Sequence, residues 1–280
     1  MSDNELKAFI RRALEEDSGA GDHSSLASIP ANAKGSAKLL IKDSGIIAGI
    51  RAAEEVFHQT DPALKVIVLI PDGSPVNYGM TAFTVEGNEQ SILRAERLAL
   101  NIMQRMSAIA TSTAIYVEKV TGTRAKITDT RKTTPGMRFL EKEAVRLGGG
   151  VNHRMGLYDM VMLKDNHIDF AGGIPVAISR TKEYLVENDL HLKIEVEARN
   201  LKEVDEILMS GGVDRIMLDN FSVPLTVEAV KMINGVTEIE SSGGITLDNV
   251  RDYALCGVDF ISIGALTHHI SSLDLSLKAY

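Results

Sequence analysis

Between positions 131 and 167 the chain carries seven Lys and Arg residues (131, 132, 138, 142, 146, 154 and 164) against four acids (141, 143, 159 and 165). The whole chain is the opposite, with 30 Lys plus Arg against 38 Asp plus Glu, a formal net charge of −8. A local excess of positive charge in an acidic chain attracts anions to one place. Arg131, Lys132, Arg154 and Lys164, with His153, can hold an anionic substrate, and Arg does so through paired hydrogen bonds to carboxylate or phosphate. Further along stand Glu197 and Asp219, hard oxygen donors suited to Mg²⁺ shared with substrate phosphate or hydroxyl groups. Ser242-Gly243-Gly244 and Gly264 are glycine turns whose backbone N–H groups can cradle a phosphate. From Glu197 to Asp219, Ser242 and Gly264 the steps are 22, 23 and 22 residues. Anion clamp, metal-binding acids and phosphate turns together describe a site for an anionic, phosphorylated substrate.

Each of those steps fits one strand-plus-helix unit, so the elements around them must be repeated βα pairs. Short apolar runs at 125–129, 160–164, 192–197, 215–218, 238–241 and 260–263 are expected strands. Helical patterns near 174–188, 200–210, 224–233 and 247–255 fall between them. That order predicts a parallel sheet of six or seven strands, closed or nearly closed into a barrel, with the polar residues gathered where the strands end. Thr246 is the expected N-cap of the helix after the Ser-Gly-Gly turn. Glu195 and Glu197 alternate along one strand and face the same side; Glu195 belongs to a salt-bridged layer beneath Glu197. Gly148-Gly149-Gly150 is no Walker loop and reads as a flexible connection.

The first hundred residues read differently. Residues 5–16 carry a helical apolar face, 36–47 read as two short strands around Asp43-Ser44-Gly45, and 64–70 as another strand. Asn88 looks like the N-cap of a long helix that runs towards Val120, with a possible interruption at Ser107. Residues 271–280 alternate weakly and are expected to return to this first region. The expected division is therefore 1–107 joined by the tail 268–280, and 108–267 as the barrel.

The bulk numbers exclude several classes. Apolar residues make up 44% and charged residues 24%, a globular rather than a disordered composition. The negative charge makes nucleic acid and anionic membrane poor partners. No apolar run approaches the ~20 residues of a membrane span. The single cysteine, Cys256, cannot form an internal disulfide, which suits a reducing compartment, and the cytoplasm is the expected one. The opening residues resemble neither a signal nor a transit peptide.

Taken in order, the motifs resemble those of the quinolinate phosphoribosyltransferases, also called nicotinate-nucleotide pyrophosphorylases (carboxylating). They are Glu16-Asp17 with Gly21-Asp22, Glu96-Arg97 through Asn101, Asp129-Thr130-Arg131-Lys132 through Gly136, and Gly148 through Arg154. They continue with Lys164-Asp165-Asn166-His167, Glu195-Val196-Glu197, Leu218-Asp219-Asn220, Ser242-Gly243-Gly244-Ile245 and Ser262-Ile263-Gly264. The resemblance covers almost the whole chain. It implies an N-terminal α/β sandwich and an open, roughly seven-stranded α/β barrel. It also implies a pentosyl transfer in NAD biosynthesis: quinolinate and phosphoribosyl pyrophosphate give nicotinate mononucleotide, pyrophosphate and CO₂, with Mg²⁺.

Carried over by position, the resemblance implies that Arg97, Thr130, Arg131, His153, Arg154 and Lys164 bind quinolinate. Arg97 would come from a neighbouring subunit of a homodimer. Lys132, Glu197 and Asp219 are implied as the catalytic group, meeting ribose, pyrophosphate and metal, with Lys164 nearby. Ser242, Gly243, Gly244, Ile263, Gly264, Ala265 and His268 would surround the 5′-phosphate. Ser241 and Met137 depart from the usual Ala and Leu of the family, at positions without a proposed polar contact. Two alternatives stay open: the same fold acting on another acceptor such as nicotinate, and a non-catalytic anion-binding barrel.

Overall fold

The computed structural model describes residues 3–280; residues 1 and 2, which open the first expected domain, lie outside the described residues. The chain forms two compact units. One runs to Ala114 and takes in Thr133–Gly149 and Leu266–Tyr280; the other is Ile115–Lys132 with Gly150–Ala265.

In the first unit, α1 (Asp3–Ser18) buries Leu6 and Ile10, and α2 (His23–Ser28) starts at Asp22, whose carboxylate accepts the N–H groups of Ser24 and Ser25. Then follow β1 (Lys34–Ile41), β2 (Gly45–Ile46), α3 (Ile50–Thr60), β3 (Lys65–Val68), β4 (Pro75–Val76) and β5 (Thr81–Asn88). Alternation along β1 buries Ala37, Leu39 and Ile41, the period-two pattern of a sheet with one face on a core. Phe57 of α3 meets Phe83 of β5 edge to face, ring centres 5.7 Å apart.

The long helix α4 (Glu89–Lys119) is capped as expected: the Asn88 side-chain oxygen accepts the Ser91 N–H at 3.0 Å. It is unbroken at Ser107. That residue is fully buried, and its hydroxyl accepts the Ala48 N–H (2.9 Å) and donates to the Ala48 carbonyl (3.1 Å). The polar residue that suggested a break is a crosslink.

The second unit takes in the end of α4 and then β6 (Lys126–Thr128). The next helix, α5 (Arg138–Leu147), belongs to the first unit, although sequence reading gave it to the barrel. Its Glu141 is fully buried and accepts Arg105 Nε of α4 at 2.7 Å and the Thr134 N–H at 3.2 Å. Arg105 also donates to the Thr267 carbonyl at 2.9 Å. A buried carboxylate needs such partners, and here they tie two later stretches of chain to α4.

The barrel continues through β7 (Val161–Leu163), α6 (Asp165–Ala171), α7 (Ile174–Glu187), β8 (Ile194–Ala198), α8 (Leu201–Ser210), β9 (Arg215–Asp219), α9 (Val223–Ile233), β10 (Glu238–Ser242), α10 (Val250–Leu255), β11 (Phe260–Ser262) and α11 (Ala265–His268). Its six strands are parallel, in the order β6-β11-β10-β9-β8-β7. Val151 bridges in parallel to Thr128 beyond β6, which supplies the seventh position of an open barrel. The last strand, β12 (Leu275–Ala279), returns antiparallel to β1, completing the order β12-β1-β5-β3. Among the described residues no helix is long and apolar enough to cross a membrane.

Candidate active site

In parallel register, residues paired across strands point the same way, and Glu195, Arg215 and Glu238 share one row. Glu197, Met217, Glu240 and Phe260 share the next, and Asp219 with Ser242, and Ser262 with Thr128, lie beyond it. The sheet therefore carries a polar column that ends at the C-terminal edge of its strands, the edge where parallel barrels place their sites.

Glu197 is 9% exposed. Burial, and then the neighbouring Asp219 carboxylate, push its pKa up, while Lys164 and the Asp165 backbone N–H pull it down. Two acids close enough to repel are relieved by a shared cation, so Glu197 and Asp219 fit the Mg²⁺ that the chain's motifs imply. Asp219 is held by Asn220, whose amide donates to it at 2.8 Å. Asn220 has a positive φ of 54°, and its backbone N–H donates to the Ser242 carbonyl at 2.8 Å. Sequence reading quoted Asn220 in a motif but gave it no role; its left-handed backbone is what lets one residue brace an acid and the glycine turn together.

Gly243 and Gly244 both have positive φ (91° and 62°). A Cβ on Gly243 would run into the Asn220 side-chain amide and lie 3.0 Å from its backbone nitrogen. The helix after this turn is shorter than expected. It starts at Val250, and Thr246 is not its cap: the Thr246 N–H instead donates to Asn249 Oδ1 at 2.8 Å. Ile263 is buried, its N–H donating to the Thr128 carbonyl at 2.9 Å, and Gly264 and Ala265 follow it half-buried.

The cations come from the segments that follow β6 and β7. Arg154 is 9% exposed; Nη1 donates to the Met160 carbonyl at 3.1 Å, and its buried Nε has no hydrogen-bond partner. Burial and the adjacent Arg131 lower the Arg154 pKa. Two guanidiniums that repel, one with a buried donor unspent, are arranged for an anion. Thr130 and Arg131 are half-buried, and Lys132 and Lys164 are exposed. His167, the last residue of the Lys164-Asp165-Asn166-His167 motif, is a helix cap: its Nδ1 accepts the Lys164 N–H at 3.1 Å.

His153 is turned inward. Its Nδ1 accepts the Arg154 N–H at 2.8 Å, and Nε2 lies 2.9 Å from Glu195 and 3.6 Å from Glu240. Both glutamates are fully buried. Arg215 Nη1 donates to Glu240 at 2.8 Å. This is the salt-bridged layer expected of Glu195, enlarged by residues that sequence reading did not single out: Asp129, Arg215 and Glu240. The signal for Arg215 and Glu240 was available, since both lie on strands in the same inward alternation as Glu195. Arg97, on α4, and His268, at the end of α11, are exposed and belong to the first unit.

Burial, followed by the Glu195 charge, raises the Glu240 carboxyl from 4.5 to about 7. Between those values the folded chain holds more protons at this site than the unfolded chain, so the site's contribution to stability falls as pH rises. Glu240→Gln removes that dependence. The variant should therefore gain on the wild type by on the order of 1–3 kcal/mol between pH 5 and pH 8, read from urea unfolding at both pH values. Parallel stability curves would contradict the assignment.

Comparison with known proteins finds relatives over almost the whole chain. Residues 22–107 match the family model of the quinolinate phosphoribosyl transferase N-terminal domain, and residues 109–278 that of the C-terminal domain. The chain is 47% identical over 289 residues to a nicotinate-nucleotide pyrophosphorylase [carboxylating], chloroplastic, of Arabidopsis thaliana, covering 98% of this chain and 82% of that one. A quinolinate phosphoribosyltransferase [decarboxylating] 1b of Nicotiana tabacum is 46% identical with the same coverage. Among solved structures, NadC from Streptococcus pyogenes superposes with a TM-score of 0.94 at 36% identity, over 99% of this chain and 97% of that one. The nicotinate-nucleotide pyrophosphorylase of Francisella tularensis gives 0.94 at 36% identity, over 100% and 98%.

Proposed function

Because the chain belongs to the quinolinate phosphoribosyltransferase family, we propose that the mouth of its barrel transfers the phosphoribosyl group of phosphoribosyl pyrophosphate to quinolinate and releases CO₂. The product is nicotinate mononucleotide, a step of NAD biosynthesis. Supporting this reading are the buried Arg154 guanidinium beside Arg131, with an unspent donor, and Glu197 beside Asp219 and Lys164.

Arg131, Arg154 and Lys164 hold the two quinolinate carboxylates, with Thr130 beside them. Ser242, Gly243, Gly244, Ile263, Gly264 and Ala265 receive the 5′-phosphate of the ribose. Lys132 meets the pyrophosphate. The C1–oxygen bond breaks, pyrophosphate leaves with the electron pair, and the quinolinate nitrogen bonds to C1. Glu197 and Asp219 face the ribose, whose positive charge at C1 they stabilise. The nitrogen is now cationic, so the bond from ring C2 to its carboxylate breaks with the electron pair kept on C2; CO₂ departs and a proton replaces it. Positioning and electrostatics carry the rate, and no side chain acts as a nucleophile. Glu197 and Asp219 would hold Mg²⁺, directly or through water, which would there neutralise pyrophosphate charge.

A dicarboxylate suits this many cations better than nicotinate does. The test is an assay with quinolinate, phosphoribosyl pyrophosphate and Mg²⁺, with product identification and CO₂ counting. Turnover on nicotinate without CO₂ release would replace the acceptor. Turnover undiminished in EDTA would remove the metal.

We also propose a homodimer in which Arg97 reaches the partner's acceptor site. Arg97 and Leu93, one turn apart on α4, are both exposed, Leu93 by 43%, as a helix face reaching a second copy requires. Mixing an Arg97→Ala chain with a Lys132→Ala chain should restore activity through mixed dimers. No recovery under proven subunit exchange would count against a shared site. A reducing compartment such as the cytoplasm suits a chain with one cysteine and no disulfide, though the Arabidopsis relative is named chloroplastic.

A further inference from the structure

Three acids from three strands converge on the short turn 152–154. Asp129, after β6, accepts the His153 N–H at 3.0 Å and the Asn152 amide at 2.5 Å. Glu195 of β8 and Glu240 of β10 face His153 Nε2 at 2.9 Å and 3.6 Å. The other ring nitrogen accepts the Arg154 N–H at 2.8 Å. In this arrangement both imidazole nitrogens are directed at protein groups, and what they fix is the backbone that carries Arg154.

Glu240 is the member of this group whose presence packing does not explain. It is fully buried, while Met217, paired with it across β9, fills the same layer with an apolar side chain at 4% exposure. Replacing buried ionic groups in such a layer by apolar ones is often neutral or stabilising. Glu240 is nevertheless provided with Arg215 Nη1 at 2.8 Å, so its carboxylate is aimed rather than tolerated.

We propose that Glu240 is a positioning residue for the acceptor: it fixes the His153 imidazole and, through the His153–Arg154 turn, holds the Arg154 guanidinium where a quinolinate carboxylate docks. This rests on the reading of the acceptor site given above. It separates a residue that touches substrate, Arg154, from one that acts two contacts away on a different strand.

The test is a double-mutant cycle on the full chain with Glu240→Gln, His153→Ala and both together, varying quinolinate and phosphoribosyl pyrophosphate separately. Glu240→Gln should raise the quinolinate KM about tenfold and change the phosphoribosyl pyrophosphate KM by less than about twofold, within the range of coupling in one hydrogen-bonded network. In the His153→Ala background the same change should add nothing. Equal rises in both KM values, or additive losses in the double variant, would overturn the proposal. A wild-type chain that does not turn over quinolinate overturns the acceptor assignment instead, which is a different failure. Should Glu240→Gln not fold, Glu240→Asp shortens the same side chain by one methylene and draws its carboxylate away from His153. It should raise the quinolinate KM alone by about threefold, an effect lost without His153; a non-selective change or none overturns the proposal.

Discussion

Arg154→Ala should lower kcat/KM for quinolinate by about two to three orders of magnitude while leaving binding of phosphoribosyl pyrophosphate within a few-fold. The guanidinium is 9% exposed, one nitrogen is spent on the Met160 carbonyl, and the buried Nε has no protein partner. A desolvated charge of this kind costs about 2–5 kcal/mol when its partnership with a substrate anion is lost, and each 1.4 kcal/mol is about a factor of ten. Steady-state kinetics with each substrate varied in turn, beside a melting curve to separate folding from binding, would check it. An equal loss for both substrates would show that the site is not divided as described.

Gly243→Ala should be the most damaging single methyl group in the barrel. The φ of 91° already disfavours any side chain, and the new Cβ has no room against Asn220. Asn220 would have to move, and with it the hydrogen bond that holds Asp219. Strain of about 1–3 kcal/mol would add to misplacement of the acid and the phosphate turn, for a loss of at least about a hundredfold in kcat/KM for phosphoribosyl pyrophosphate. Gly244→Ala is the control. Its φ is 62° and nothing lies within 4 Å of the added carbon, so stability should fall by only about 1–2 kcal/mol. A Gly244 variant that unfolds more readily than the Gly243 variant would refute this reading of the turn.

The barrel was legible in the sequence because its strands are short apolar runs ended by polar residues. Each expected strand overlaps an observed one, and Asn88 caps α4 as read. Helix α5 was not legible: Arg138–Leu147 carries Glu141 and Lys142, which look solvated, yet both are buried. What buries Glu141 is Arg105, 36 residues earlier, a partner that no local pattern announces. The site divides the same way. Glu197, Asp219 and the glycine turns announce themselves by spacing, since each follows its own strand. The capping role of His167 was not legible, because a histidine after a strand looks the same whether it binds a substrate or caps a helix. The inward role of His153 was hidden for a similar reason, because it depends on Glu195 and Glu240, 42 and 87 positions further on.

Strand β12 pairs with β1 across the greater part of the molecule's length in sequence. A chain leaving the ribosome therefore produces β1 long before the residues that cover its outer edge, while every strand of the barrel, from β6 to β11, has already emerged. Until Leu275–Ala279 is made, the nascent first unit exposes an unpaired sheet edge, the feature that most readily recruits another chain. Premature termination just upstream of β12 would leave a finished barrel attached to an adhesive sheet, and such a product should be found in aggregates rather than as a truncated enzyme.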